Sequence, residues 1–213
     1  MTPVVAFHAA TIGLAGLALG VAARRLPWYK LRGDAEAQRV LGIATAALIL
    51  MRGFNTHGLG GAHLNFTGAV IATLMFGPRF ALWALAAASL AATAFGQAWI
   101  GFGPDFIATA LLPVACSVAV SRAAERRLPP HLLIYVLVQA FAGGMLAMIA
   151  CNLFKAAVAA WLRIGDAGAY LIATPLMMFG EGFLTGCAMA LVVVYRPQWC
   201  ASFDDARYLP PRR

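Results

Sequence analysis

Long apolar runs set the first limit on this chain. A helix needs about 20 apolar residues to cross a hydrocarbon core ~30 Å thick, and the runs Leu132–Leu162 and Ala169–Tyr195 exceed that length. Further apolar stretches lie near Val4–Ala23, Val40–Gly53, Phe66–Phe76, Phe80–Ala98 and Phe106–Arg122. The chain is 62% hydrophobic and 11% charged, where soluble domains carry about 45–50% and about 25%. Such a surface needs lipid as its solvent. The expected fold is all-α: a polytopic membrane protein of about seven transmembrane helices, one domain over 1–198 with a short polar tail at 199–213 lying along the cytoplasmic surface. The third stretch has about 11 residues, too few to cross as a helix, so it either extends back through His63 or enters partway. Val4–Ala23 reads as a retained helix rather than a cleaved leader.

Basic residues orient the spans. Arg24, Arg25, Lys30, Arg32 and Arg39 follow the first, Arg79 follows the third, Arg122, Arg126 and Arg127 follow the fifth, and Arg196, Arg207, Arg212 and Arg213 follow the last. Thirteen of the sixteen Lys and Arg thus fall on one side, leaving Arg52, Lys155 and Arg163 for the other. The positive-inside rule places the basic side in the cytoplasm, which gives an outside N-terminus, an inside C-terminus and a bacterial inner membrane. The same positions exclude nucleic acid as the reason for the net charge of +8, because the cations sit in short gaps rather than on one face of a module. Gly77-Pro78 marks a tight turn and Pro129-Pro130 a helix restart. Cys116, Cys151, Cys187 and Cys200 show no C-x-x-C spacing and read as small apolar residues between helices.

Ligand chemistry concentrates on the side poor in charge. The segment Asn55-Thr56-His57-Gly58-Leu59-Gly60-Gly61-Ala62-His63-Leu64-Asn65 offers two imidazoles and two amides on a glycine-rich loop that can fold back sharply. Neutral imidazole suits divalent cobalt, nickel, copper or zinc. His57 and His63 are the principal candidates, with His8 as a third ring and Asp105 as a carboxylate. The alternative is that these histidines are interfacial residues capping helix ends, since a six-residue spacing is not diagnostic. His131, beside Pro130, reads as interfacial.

Glu181 lies inside the last apolar run, where an acid costs about 2.5–3.5 kcal/mol on insertion scales and normally faces the protein interior with a partner. It belongs either to a substrate path, with Asn55 and Asn65, or to a structural pair with a donor such as Lys155 or neighbouring amides. Gly16 and Gly20, spaced G-x-x-x-G, permit close helix contact within the chain or docking of another subunit. No nucleophile elbow, phosphate-binding loop or His-Glu-x-x-His occurs, so the chain is not expected to be an enzyme, and any ATP hydrolysis belongs to another polypeptide.

His63-Leu64 followed by Thr67-Gly68, the run ending in Phe76-Gly77-Pro78, the segment Gly101-Phe102-Gly103-Pro104-Asp105, then Pro175, Glu181-Gly182-Phe183-Leu184-Thr185 and Tyr195 together resemble, in order, the CbiM/NikM membrane subunits of energy-coupling factor transporters. The resemblance covers about two thirds of the chain. It implies a substrate-capture subunit for cobalt or nickel that docks on a transmembrane coupling protein and cytoplasmic ATPases, and it carries a ligand role onto His63. One departure is serious. The family typically begins Met-His-Ile, with the terminal amine and the histidine as ligands, whereas this sequence has Thr2 and Pro3, and proline offers no backbone N–H. Asparagine is also commoner in the family at the position of Asp105.

Two function classes follow. The first is capture of a transported divalent metal ion, with no permanently bound cofactor. The second is a non-transporting membrane accessory or assembly factor without a metal site. Transport of an organic micronutrient through a modified site is a weaker third.

Overall fold

The computed structural model describes residues 3–28, 32–53, 56–57, 62–204 and 208, with positions 3, 56 and 57 as backbone only. Its elements are α1 (Pro3–Arg24), α2 (Ala35–Gly53), a two-residue strand pair β1 (Thr56–His57) and β2 (His63–Leu64), α3 (Ala69–Ala94), α4 (Phe102–Arg127), α5 (Leu132–Leu162) and α6 (Ala167–Tyr195). Among the described residues, five of these helices are long and apolar enough to cross a membrane: all except α2. That helix has 19 residues and carries Glu36, Arg39 and Arg52.

The third and fourth apolar stretches form α3, two helical arms joined at a break. Gly77 adopts φ 80° and ψ 161°, outside the helical region. Glycine enters positive φ without steric cost, and Pro78, whose missing N–H harms nothing at a helix start, opens the second arm. The contacts show that the chain turns back there. Gly68 lies against Leu48 and Met51 of α2. Met75 and Phe76 share a groove with Val40 and Leu41, and Ala91 and Ala92 return to the neighbourhood of Ile49 and Arg52. The first arm, residues 69–76, has a length of only about 12 Å at 1.5 Å per residue.

The connections collect at two ends of the bundle. At one end the Arg79 guanidinium donates to the Arg25 carbonyl (2.6 Å), Trp199 donates to Glu36 (2.7 Å) and the Tyr135 hydroxyl meets Ser202 (2.7 Å). At the other end His8 reaches the Ile100 carbonyl, while Lys155 and Tyr170 reach β2. The basic segments grouped by charge in the sequence therefore share one end. His131 sits there as the N-cap of α5, its Nδ1 accepting from the Leu133 amide (3.1 Å).

Small residues let α5 and α6 touch through their backbones. A Cβ on Gly182 would come within 2.6 Å of Met145 Cγ and 2.9 Å of the Phe141 carbonyl. Without a hydrophobic force between helices in lipid, close packing of this kind holds them together. The stripe on α1 is different. A Cβ on Gly13, Gly16 or Gly20 would meet no described atom within 4 Å, so Gly16 and Gly20 do not pack within the described chain.

Lipid forces every backbone polar group to find a partner inside the protein, and the break at Gly77 frees the last carbonyls of the first arm. The C-terminal segment supplies the donors. Ala201 N–H donates to Met75 O (2.8 Å), and Ser202 donates to Leu74 O through its amide (3.2 Å) and hydroxyl (2.7 Å). Phe203 and Tyr208 are buried beside Tyr135. The expected surface location of the tail is corrected for these residues: they insert because the broken arm and an apolar pocket offer more than water does.

Candidate functional site

Between β2 and α3 the chain runs without helix from Asn65 to Gly68. Non-helical backbone at membrane depth persists only where the protein satisfies it, and side chains from α5 and α6 do so here. Glu181, fully buried, accepts from Thr67 N (3.0 Å), Thr67 Oγ1 (2.7 Å) and Gly68 N (2.9 Å). Its carboxylate therefore caps the exposed amides at the start of the first arm, where the helix dipole favours negative charge. Of the two structural partners expected for Glu181, the structure uses neighbouring amides and not Lys155.

Lys155 serves the other end of this strap. Its Nζ donates to the His63 carbonyl (3.0 Å) and Asn65 Oδ1 (3.1 Å), and lies 5.9 Å from the centre of the Trp99 ring. Tyr170 completes the fastening by accepting from the His63 amide (3.2 Å). Three residues of α5 and α6 thus hold the strap through six hydrogen bonds.

Beside it, Arg52 at the end of α2 forms a buried salt bridge with Asp105 near the start of α4. The other Asp105 oxygen accepts from Trp99 N (3.2 Å). Immediately after Asp105 and Phe106, the α4 backbone widens into a π-helical turn over Ile107–Leu111, a distortion that often accompanies function.

The candidate ligands are only partly brought together. In the backbone register His57 pairs with His63 and Thr56 with Leu64. The His57 side chain, and Asn55 altogether, lie outside the described residues. His8 turns both ring nitrogens to carbonyls, Nδ1 to Val4 (2.9 Å) and Nε2 to Ile100 (2.7 Å). Asp105 is committed to Arg52. The supporting ligand roles expected for His8 and Asp105 are therefore not the roles this structure gives them. Among the described residues no three His, Cys, Asp or Glu side chains form a group that could hold a metal ion.

Arg52 and Lys155 also correct the charge reading. Counted as cations of connecting loops, they are helix-borne and buried, 6% and 1% exposed. The signal was present in the sequence: two bases and two acids inside or against apolar runs, Arg52, Lys155, Asp105 and Glu181, predict internal compensation. Trp99 and Tyr170 carried no such signal. They matter because of what folds against them.

A helical bundle with a broken helix, a carboxylate on the half-helix end and paired charges among apolar helices is an arrangement that membrane transport proteins use. A crystal structure described as that of a truncated transition metal transporter is similar in fold, with a TM-score of 0.67 over 89% of this chain and 94% of that one, at 18% identity. The model of the family described as the cobalt uptake substrate-specific transmembrane region matches residues 1–199. The chain belongs to this family, CbiM, and is a membrane transport protein rather than an enzyme. Comparison with curated proteins gave no match.

Proposed function

We propose that the chain is the substrate-capture subunit of an energy-coupling factor transporter for a divalent transition-metal ion of the cobalt or nickel class. The observation that carries this reading is the register that sets residue 57 opposite residue 63. Opposed positions in an antiparallel pair stand about 4.5–5.5 Å apart on one face, a separation at which two imidazoles can share one ion. Membership of a cobalt-uptake family supports the ion class. His57 and His63 are the principal ligands in this proposal. Asn55 and Asn65 border the path, and His8 and Asp105 join only if they leave their present partners.

The proposed topology has seven crossings, counting the strap with the first arm of α3 as the third and the second arm as the fourth. The end bearing Arg25, Arg79 and Arg196 faces the cytoplasm of a bacterial inner membrane, and the His63 end faces out. The open face of Gly16 and Gly20 on α1 is available to a transmembrane coupling subunit, with separate ATPases supplying the energy.

A second reading, an accessory membrane factor without a metal site, draws on the internal pairing of both buried carboxylates. Titration separates the two. Protein purified in detergent and stripped with chelator is titrated with nickel, cobalt, copper and zinc, alongside the His57→Ala/His63→Ala double variant. Stoichiometric binding that disappears in the double variant supports capture. Silence from the wild type would defeat it.

A further inference from the structure

Three acceptors converge on one point below β2: the His63 carbonyl, the Asn65 side-chain oxygen and the Trp99 ring. Two neutral oxygens and an aromatic face make a seat for a cation, and the Lys155 ammonium fills it. Neither neighbouring carboxylate takes a hydrogen bond from Lys155 among the described contacts. Asp105 is held by Arg52 and the Trp99 amide, and Glu181 by the donors of Thr67 and Gly68. The formal charges of Arg52, Lys155, Asp105 and Glu181 sum to zero, so the four together offer no net negative charge to an incoming ion. Asn152, almost one turn before Lys155 on α5 and 2% exposed, has an Nδ2 without an acceptor among the described residues.

We propose that Lys155 is a specificity-determining residue of the transport path: its ammonium is a tethered cation that occupies the seat beneath His63. A divalent ion carried by the imidazoles of the strand pair stays above this level until the lysine withdraws. Repulsion between a dication and an ammonium a few ångströms away in low dielectric outweighs what two neutral oxygens offer the ion. The identity of the arriving ion rests on the metal-capture reading. The existence of the seat does not.

The test is calorimetric titration of cobalt(II) and nickel(II) chloride into chelator-stripped full-length protein. Lys155→Gln keeps N–H donors for both oxygens but removes the charge, Lys155→Arg keeps the charge, and Lys155→Met serves if the Gln variant fails to fold. The neutral variant is expected to bind at least about tenfold more tightly than wild type, with the Arg variant close to wild type. Adding Asn65→Ala to the neutral variant should take the gain away. A neutral variant that elutes as a single folded species and binds no better than wild type overturns the proposal, as does silence from both. Wild-type binding lost on His63→Ala with no gain in the neutral variant would remove this inference and leave metal capture standing. A silent wild type beside a binding neutral variant would do the reverse.

Discussion

The first arm of α3 is held at its two ends by opposite means. At its start, charges do the holding: Glu181 on the amides of Thr67 and Gly68, Lys155 on the strap just before them, and the Arg52–Asp105 pair alongside. At its finish the groups that hold it are neutral. Ala201 and Ser202 satisfy the Met75 and Leu74 carbonyls, and beside them Phe203 stacks on Tyr208 with Tyr135 edge-on to both rings. Both ends solve one problem, the loose backbone of a half-helix in lipid. The difference teaches where the fold accepts electrostatic cost. Buried ion pairs are weak devices for stability, because desolvation cancels much of the attraction. Charges placed at the His63 end therefore call for a reason other than rigidity, and the proposed capture of an ion there would supply one.

The contrast can be broken experimentally, starting at the charged end. Glu181→Ala leaves two amides and a hydroxyl without their acceptor and should cost about 3–5 kcal/mol. The loss is measured as a fall in the thermal unfolding midpoint in detergent. An unfolding midpoint equal to wild type would mean that the carboxylate does not hold the strap.

Arg52→Met should cost a comparable but slightly smaller amount, about 3 kcal/mol, because Asp105 keeps the Trp99 amide. The double variant Arg52→Met/Asp105→Leu should recover most of this loss, since removing both charges removes the desolvation penalty as well. A double variant worse than the single one would show that the pair stabilises the fold.

At the neutral end the effects shrink. Ser202→Ala removes one hydrogen bond from Leu74 O while the backbone donor remains, so about 1 kcal/mol is expected from denaturant unfolding.

Read near pH 9, where the window only begins, the smallest effect is a pH dependence. Burial pushes the Cys200 thiol up to about 12, against a lowering hydrogen bond from Tyr135. Between the ordinary value of 9.0 and about 12 the unfolded thiol loses its proton while the folded one keeps it. The unfolded state then binds fewer protons, so the contribution of Cys200 makes stability fall as pH rises through that window. The direct check is alkylation of the folded protein, with the other cysteines replaced. Cys200 should stay unreactive at pH 9, and labelling at the rate of a free thiol would contradict its burial.

Much of the bundle was legible in the residues alone. Run length and composition specify helices in lipid, because both depend on transfer from water and not on neighbours. Gly77-Pro78 announces a break through local backbone chemistry, and Glu181 announces a partner through the cost of a buried acid. The pairing choices were not legible. Which donors meet Glu181, whether Asp105 serves an ion or Arg52, and whether Lys155 belongs to a loop or to the core depend on which helices cross at that depth.

The sequence by itself therefore determined that this chain lives in a membrane, where its long apolar runs lie, and that Glu181 needed a partner. Only the tertiary structure decided who keeps whom company, that the C-terminal segment seals the broken arm, and that an ammonium sits under His63. The physical reason is range: hydrophobic transfer and glycine or proline geometry act within a residue or a turn, whereas a buried charge is satisfied by groups as far away in sequence as the 114 residues separating Thr67 from Glu181.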